Sequence, residues 1–479
     1  MHHRRVISPL ALALLFAKCA LAAGPPEGIA VTVRLLAPIS SYSSKAGDPI
    51  EAVMVAPVCF AADSAVPAGA TIHGVLQHVR KVGLGLAHET ARLDLKFDQV
   101  RLPDGESYSI GAQLTSVENA RERVDQHGGI HGIRATDTLS SRFSSRLLFA
   151  AKTHPAAVVP SLAVETLLFR FPDPEIEYGA GTQLRLLVRF PSFLGEASRC
   201  AEPESLLADE TELNRLVAGL PQWSYSKRQM QAMDPVNLVF VGSREDLENA
   251  FALAGWTGSQ ATSFTSGFHA IRAIAEDREY PGAPMRTLLL DGAEPDLRLQ
   301  RTLNTFDKRD HLRIWRRAGE WHGQTVWAVA ATRDVAATFS LSPFGFTHRI
   351  ENDVDLERDA VVTDLKFTGC VRTAAYAARP ASPPRSGHEY RKGLKTDGRV
   401  AIVFLDPCEP EPLRAEPSPI PQPSVETRVI RRVTLTARNH LVRDNIIWRS
   451  GDAIWLGWRA FRQWEERKSE RRAEAGAVQ

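Results

Sequence analysis

The sequence predicts a multidomain protein: an all-β module of barrel or sandwich type, then an α+β module, and finally a C-terminal strand plus helix. The chain has 479 residues, which is more than one hydrophobic core usually organises. Residues 29–190 consist of short alternating apolar runs broken by Pro, Gly and Asp, as is typical of strands. From residue 236 the period changes, and helical patterns mix with consecutive strand-like runs, which favours an α+β layer fold.

Residues 1–23 have the pattern of a secretory signal peptide. A basic start precedes an apolar run over residues 6–16, and small residues then offer cleavage after Ala22 or Ala23. Lys18 directly before Cys19 argues against a lipoprotein. No other stretch has the length and apolarity of a transmembrane helix. We therefore expect an exported protein without a membrane-spanning helix, located in the periplasm of a Gram-negative-type envelope or attached to the membrane periphery.

Removal of the signal leaves four cysteines in a compartment where disulfides persist, namely Cys59, Cys200, Cys370 and Cys408. Pairing Cys59 with Cys200 and Cys370 with Cys408 would keep each bridge within one predicted module. Four cysteines allow three connectivities, and spatial distance decides between them.

The all-β module is predicted over residues 24–200. Its strand-like runs alternate in hydrophobicity and are separated by turn residues. The runs are Val31 to Leu36, Ile50 to Val55, Thr71 to Val75, Ala91 to Phe97 and Leu184 to Phe190.

Motifs of this module occur in the order Pro67-Ala68-Gly69-Ala70-Thr71-Ile72-His73-Gly74, Leu93 to Leu102 leading into Pro103-Asp104-Gly105, Gly128-Gly129-Ile130-His131-Gly132, and Arg142-Phe143. In this order the module resembles the β-barrel domain of the TrbI family, the envelope-spanning channel component of type IV secretion systems. The resemblance implies a barrel-like fold that packs against other envelope proteins. The chain lacks that family's cytoplasmic tail and transmembrane anchor, so only the fold is carried over.

A helical connector is predicted over residues 201–233, followed by the α+β module over residues 234–406. Val236 to Val241 reads as a buried strand, and Ser243 is a candidate N-cap of a helix over residues 244–254. Further strand-like runs and one helix follow. They are Met285 to Leu290, Leu312 to Ile314, Thr325 to Ala331, the helix from Val354 to Phe367, and Arg399 to Phe404.

A second series of motifs lies within this module, in the order Asp234-Pro235-Val236-Asn237-Leu238, Gly242-Ser243, Ala254-Gly255-Trp256, His311-Leu312-Arg313-Ile314-Trp315, His348-Arg349-Ile350, Asp353 to Asp359, and Thr396-Asp397-Gly398-Arg399. By these motifs the module resembles the LssY C-terminal domain family. Members of that family are often fused to membrane-embedded domains of the DedA or phosphatidic-acid-phosphatase type. The resemblance therefore implies a connection with lipid phosphates at the membrane.

Residues 407–424 are dense in proline and read as a stiff linker to a tail over residues 425–479. The tail is predicted to hold a β run at Thr427 to Thr436 and an amphipathic helix from Asp452 to Arg471. In that helix tryptophan alternates with arginine, which is typical of a membrane-interface segment or a docking helix. The alternative is a helix that packs its tryptophans onto the protein's own core.

On a strand, His311, Arg313 and Trp315 would project to one face, opposite Leu312 and Ile314. Arg313 could hold a phosphate through its planar fork, with His311 as a hydrogen-bonding acid. The alternative is an ordinary strand with one wet face.

The segment from His348 to Asp359 places five carboxylates and a histidine within twelve residues. Asp353, Asp355, Glu357 and Asp359 could bind a divalent metal, although the spacing is not that of a calcium loop. The alternative is helix chemistry, with Asp353 as N-cap and acids in the first turn.

Two functions follow, and they differ in class. The first is a binding or scaffolding protein whose partners are envelope proteins or the membrane lipid surface. The second is a phosphoester or lipid-phosphate hydrolase, in which one cleft gathers the candidate catalytic residues His311, Arg313, His348, Asp353 and Arg358. No cofactor motif is evident, and the near balance of 58 basic and 56 acidic residues argues against a nucleic-acid partner. The absence of a recognised catalytic motif favours binding or scaffolding.

Overall fold

The protein is mostly β, with a barrel-like sheet, a second large sheet and few helices. A computed structural model describes residues 28–60, 64–85, 88–142, 173–200, 210–227, 230–261, 263–339, 346–379, 394–408 and 424–443, with a few isolated positions elsewhere. The predicted signal peptide, most of the proline-rich linker and nearly all of the predicted tail helix lie outside these residues.

The first part of the chain forms fourteen strands in the described residues. They are β1 Ile29–Leu35, β2 Ile39–Ser40, β3 Pro49–Met54, β4 Val58–Phe60, β5 Ala65–Val66, β6 Thr71–Arg80, β7 Arg92–Arg101, β8 Ser107–Ser109, β9 Gly111–Val117, β10 Arg123–Val124, β11 Gly129–His131, β12 Glu177–Tyr178, β13 Gln183–Arg189 and β14 Ala197–Arg199. The five strand-like runs predicted from alternation all fall on these strands.

We call the largest sheet of this part the barrel sheet. Its strands follow the order β10-β11-β7-β6-β3-β1-β13-β9, with β8 paired to β7. The path nearly closes, because the amide of Gln113 on β9 donates to the carbonyl of Gln126 in the β10–β11 turn. Alternating strand residues fill one hydrophobic core inside it. Gly74 on β6 allows close approach of β7, since a Cβ there would lie 2.1 Å from the carbonyl oxygen of Lys96.

The described residues of the second part of the chain add eleven strands and five helices. The strands are β15 Trp223–Ser226, β16 Ala232–Pro235, β17 Leu238–Val241, β18 Thr257–Gly258, β19 Leu288–Leu289, β20 Leu297–Thr302, β21 Arg309–Trp321, β22 Gln324–Phe339, β23 Phe346–Ile350, β24 Val371–Ala378 and β25 Arg399–Leu405. The helices are α1 Glu210–Ala218, α2 Arg244–Leu253, α3 Phe264–Glu276, α4 Val354–Phe367 and α5 Val425–Arg443.

The second sheet follows the order β18-β20-β21-β22-β17-β25-β24, with β23 paired to β22. β17 pairs in parallel with β25 and antiparallel with β22. One face of the sheet packs with α2 and α4 into one hydrophobic cluster, and the other packs with α1 into a second. Its central strands are therefore buried on both faces.

Local signals placed two helices of this part correctly. Ser243 and Asp246 form the reciprocal hydrogen bonds of a capping box at the start of α2. The Asp353 side chain accepts a hydrogen bond from the backbone nitrogen of Asp355 at the start of α4. The predicted bounds of α4 are confirmed.

The predicted helical connector is only partly helical. Glu210–Ala218 is α1, but Trp223–Ser226 and Ala232–Pro235 form strands that pair with each other. Strand β15 also pairs with β19. The segment therefore adds strands to the second part of the chain. Every other side chain of the β15 sequence Trp-Ser-Tyr-Ser is buried, as is typical of a strand.

The predicted β run at Thr427 to Thr436 is wrong, since it lies inside α5. Its valines, isoleucine and threonines carry high strand propensity, but tertiary packing overrides propensity. The buried residues described on α5 are Arg431, Leu435, Arg438 and Asn439, and their spacing of three and four is the period of a helix.

Two disulfides join Cys59 to Cys200 and Cys370 to Cys408. The first links β4 to the end of β14, and the second lies between the end of α4 and the segment after β25. Each bridge thus stays within one of the two parts of the chain.

Candidate functional site

His311 and Arg313 lie on β21, and the alternation predicted for them is present. Leu312 and Ile314 enter the cluster shared with α2 and α4, whereas Trp315 enters the cluster on the opposite face. The face of His311 and Arg313 is not wet, however, because both side chains are at most 6% exposed. The strand is covered on both sides.

Specific contacts cover that face. The amide of Gln300 on β20 donates to the carbonyls of Pro281 and Ala283. The Arg313 Nε donates to the carbonyl of Arg286, and the Arg309 guanidinium lies over the ring of Phe306. The loop before β19 therefore shields the face from solvent.

Arg313 and His311 are engaged by neighbours on their own face. The Arg313 Nη1 lies 2.7 Å from the carboxylate of Asp234. The His311 Nε2 lies 2.7 Å from the Thr332 hydroxyl, and its Nδ1 lies 3.6 Å from Asp334. Burial lowers the pKa of His311 to about 4, so the imidazole is neutral at pH 7 and does not carry a proton for acid catalysis.

Arg358 lies in another cluster, at the start of α4. Its guanidinium contacts the carboxylates of Asp355, Asp359 and Asp397 at 2.8–3.1 Å. It also lies over the ring of Tyr376, which the Arg399 guanidinium contacts as well. This cluster ties α4 to β24 and to the turn that precedes β25.

The acidic run is used by this cluster and by the helix itself. Asp353 caps α4, and Asp355 accepts hydrogen bonds from Thr396 and from the backbone nitrogen of Asp397. Asp359 accepts from the Tyr376 hydroxyl, while Glu357 points to a different network. Within the described residues no group of three His, Cys, Asp or Glu side chains is arranged to hold a metal ion.

The predicted catalytic residues thus occupy two places. His311 and Arg313 share one buried face of β21, whereas Asp353 and Arg358 lie at the start of α4. His348 lies on β23 opposite Ala337, and its side chain is outside the described part of the structure. No cavity found in the described structure is lined by both groups.

An ion network that the sequence reasoning missed connects the barrel sheet to the second sheet. We call it the inter-sheet network. Its members are Arg34, Glu118, Arg301, Asp310, Arg333, Glu357 and Asp364. Asn119 adds a hydrogen bond to Asp310 at 2.9 Å, and Gln183 adds one to Asp364 at 2.7 Å.

Asp310 and Arg333 are the centre of this network. Arg333 lies 2.7 Å from Asp310, 2.6 Å from Glu118 and 3.0 Å from Glu357. Burial alone would raise the pKa of Asp310, but Arg333 and Arg301 hold it well below its ordinary value. Burial and the charge of Asp310 raise the pKa of Glu357 well above its ordinary value. Buried charges that are paired in this way fix one relative placement of the two sheets.

A signal for this network was present in the sequence. The run Glu118-Asn119-Ala120-Arg121-Glu122-Arg123 concentrates charge directly after a strand. Its partners Arg301, Asp310 and Arg333, on β20, β21 and β22, lie more than about 180 residues further along the chain, so the pairing itself cannot be read from local spacing.

A cleft of about 770 Å³ lies where the barrel part, α3 and α5 meet. Several of its charges are paired with one another. Arg431 contacts Glu175, and Arg272 and Arg278 both contact Glu276. The pair of Arg431 and Glu175 therefore links α5 to the barrel part, whereas the contacts of Glu276 lie within α3 and directly after it.

A smaller cavity of about 80 Å³ lies between the start of α4 and the end of β24. Three of the sequence motifs meet there. Val236 and Asn237 belong to the motif at residues 234–238, and Val354 belongs to the motif at residues 353–359. The motif at residues 396–399 contributes Thr396, Gly398 and Arg399. Asn237 holds the motifs together, because its side chain bonds the backbone of Ala331 in both directions and donates to the carbonyl of Val354.

The fold and these contacts define a disulfide-linked, mostly β protein in which a barrel-like sheet is bonded to a second sheet with helices against it. Residues 218–400 match the family model described as LssY C-terminus. The match confirms the resemblance predicted from the motifs, and it begins before the predicted boundary at residue 234. No curated protein matches the chain. Within the described residues, no helix is both long and apolar enough to cross a membrane.

Proposed function

We propose that the protein is an exported envelope protein that binds the membrane surface through α5, with the two sheets as its scaffold. One observation carries the proposal. The outer face of α5 exposes large apolar side chains, with Val425 67%, Val429 55% and Val433 63% exposed. Contiguous exposed apolar surface of this kind marks an interaction site.

The opposite face of α5 is fixed to the barrel part. Leu435 enters the barrel core, Arg431 pairs with Glu175, and an Arg438 Nη donates to the carbonyl of Gly83. The helix is therefore docked by one face, and this leaves the apolar face outward. We call that face the α5 stripe, formed by Val425, Val429, Ile430, Val433 and Leu441.

Charge and sequence context support a membrane as the target. Arg428 and Arg432 are exposed on α5, and basic residues beside an apolar stripe favour anionic lipid. Further along the chain Ile454, Trp458 and Phe461 are also exposed. The spacing of these three residues is again helical.

Vesicle co-sedimentation tests the proposal. Wild type should bind vesicles of phosphatidylcholine with phosphatidylglycerol, and a double variant Val429→Asp, Val433→Asp should lose most of that binding. The double variant Ser107→Asp, Ser109→Asp adds the same two charges on exposed positions of β8 and should bind like wild type. Equal binding by all three proteins contradicts the proposal.

Export is supported by the two disulfides, since such bonds persist in oxidising compartments. Protein isolated from its native cell under non-reducing conditions should contain no free thiol and should begin after Ala22 or Ala23. Five free thiols and an intact N-terminus, which retains Cys19, would place the protein in the cytosol instead.

We also infer that the two sheets belong to two domains, and that the second is the α+β module. Separate hydrophobic clusters support this division, because the barrel core draws on residues up to Val188 together with Leu435 of α5, and the other large clusters begin at Leu213. Limited proteolysis should then cut first between residues 200 and 210 and leave two stable fragments. Cleavage that starts inside either sheet contradicts the division.

A further inference from the structure

The cavity between α4 and the end of β24 contains an arginine with no partner in the described structure. Arg379 follows β24 and lines the cavity. Its Nε and Nη2 atoms are buried, and neither makes a hydrogen bond. Burial lowers the pKa of Arg379, and no carboxylate acts against that effect.

Other buried arginines of the second sheet differ from Arg379 in this respect. Arg313 has Asp234, Arg333 has Asp310 and Glu118, and Arg358 has three carboxylates. A buried charge without a counter-charge is costly. The described residues therefore include a half-buried, unpaired cation at this cavity.

The remaining walls of the cavity favour an anion. Arg399 is a second basic residue of the lining, and no Asp or Glu is among the lining residues. Val354, the first residue of α4, also lines it, and the N-terminal end of a helix carries partial positive charge. The carboxylate of Asp355, one residue further, is not among the lining residues and accepts hydrogen bonds from the Thr396 hydroxyl and the backbone nitrogen of Asp397.

The volume of the cavity and the geometry of the arginine side chain limit which ligands can bind. The cavity volume of about 80 Å³ exceeds the roughly 30 Å³ of one water molecule, so a group of several heavy atoms fits and a nucleotide does not. The arginine fork offers two parallel donors that match the oxygens of phosphate or carboxylate.

We propose that this cavity is a binding site for a small oxyanion of the phosphate class, with Arg379 as its principal ligand and Arg399 as a supporting charge. The oxyanion is either free phosphate or the phosphomonoester of a lipid headgroup. The proposal does not depend on membrane binding by the α5 stripe.

Binding of inorganic phosphate is the direct test. Calorimetry and thermal unfolding are run on the full mature chain, with sodium chloride matched for ionic strength. We expect phosphate to raise the melting temperature of wild type, and Arg379→Met to weaken phosphate binding at least about tenfold. Arg372→Met is the matched control, because Arg372 lies on β24, the strand that Arg379 follows, and pairs with Asp406 at the surface.

Stability without phosphate gives a second readout. Arg379→Met removes an unpaired, half-buried charge, so the variant should melt at or above the temperature of wild type when phosphate is absent. A variant that is equally stable and fails to respond to phosphate has lost a ligand contact and not its fold. The proposal is overturned if wild type responds no more to phosphate than to chloride, or if Arg379→Met binds phosphate like wild type.

Vesicles separate the two sources of the oxyanion. Phosphatidic acid carries a phosphomonoester, whereas phosphatidylglycerol of equal molar content carries a phosphodiester. If the ligand is a lipid headgroup, wild type prefers phosphatidic acid and Arg379→Met loses that preference. If it is free phosphate, the preference is absent while phosphate binding depends on Arg379. The α5 stripe variant should still bind inorganic phosphate, which keeps failure of membrane binding distinct from failure of this site.

Discussion

The neutral, buried His311 predicts a specific loss of stability in acid. Its pKa falls from 6.5 to about 4 on folding because burial penalises the imidazolium. A pKa lowered in the folded state means that the unfolded chain takes up the proton first as pH falls. The stabilisation is therefore complete above pH 6.5 and is lost as pH falls toward 4.

The magnitude follows from that difference in pKa. At about 1.36 kcal/mol per pKa unit, the change corresponds to about 3 kcal/mol of unfolding free energy. Most of it is lost by pH 4.5, so the wild type should be about 2–3 kcal/mol less stable there through this residue alone. Carboxylates elsewhere titrate too, which makes a variant comparison necessary.

Urea unfolding at pH 7.5 and pH 4.5, followed by tryptophan fluorescence, measures this loss. All nine tryptophans lie at or beyond residue 223, so the signal reports the second sheet and the tail. His311→Gln keeps a partner for Thr332 but has no charge to gain. Its loss of unfolding free energy between the two pH values should be smaller than that of wild type by about 2–3 kcal/mol.

His78→Gln is the control, because His78 is 68% exposed; it should lose as much unfolding free energy as wild type. Equal losses in wild type and His311→Gln would refute the reasoning. In that case His311 would be able to take up a proton in the folded state, and the face it occupies would be accessible to water.

For two substitutions and for the reduction of one disulfide, the loss of unfolding free energy can be estimated from the contacts that are removed. Asp364→Ala removes the carboxylate that pairs with Arg34 and leaves Arg301 with Asp310, and it should cost about 3–5 kcal/mol of unfolding free energy by urea titration; a cost below about 1 kcal/mol would show that the network is solvated. Asn237→Ala breaks the bonds that join β17, β22 and α4 and should cost about 3 kcal/mol, with faster hydrogen exchange at the amide of Ala331; unchanged exchange would contradict the role of this side chain. Reduction of the Cys370–Cys408 bridge, whose cysteines are 38 residues apart, should cost up to about 4 kcal/mol, visible as a lower melting temperature that the double serine variant reproduces without reductant; a reductant effect that persists in that variant would come from the other bridge.

Local pattern in the sequence determined much of the secondary structure. Strand alternation located the barrel strands, and the capping residues Ser243 and Asp353 marked the starts of α2 and α4. The motifs from Asp234 to Arg399 indicated the LssY C-terminal resemblance that the family match confirms. These features are readable because side-chain period and capping bonds involve residues a few positions apart.

Tertiary structure alone decided which surfaces are covered. The alternation of side chains along a strand showed that His311 and Arg313 share a face of β21. The loop that buries this face lies 17–27 residues before the residues that it contacts. The Thr427 to Thr436 segment has strand propensity, yet it forms a helix because Leu435 and Arg431 dock on the barrel part.

The same reason governs the two sites that the sequence did not reveal. The inter-sheet network joins residues such as Asn119 and Asp310, which are 191 positions apart. Arg379 is unusual because its side chain has no partner among the described residues. Strand and helix period is a local property of the chain, whereas burial and charge pairing depend on contacts between distant segments. The sequence by itself therefore determined many of the strands and helices and the resemblance of residues 218–400 to the LssY C-terminus family model, and only the folded chain decided which charged groups are paired or buried.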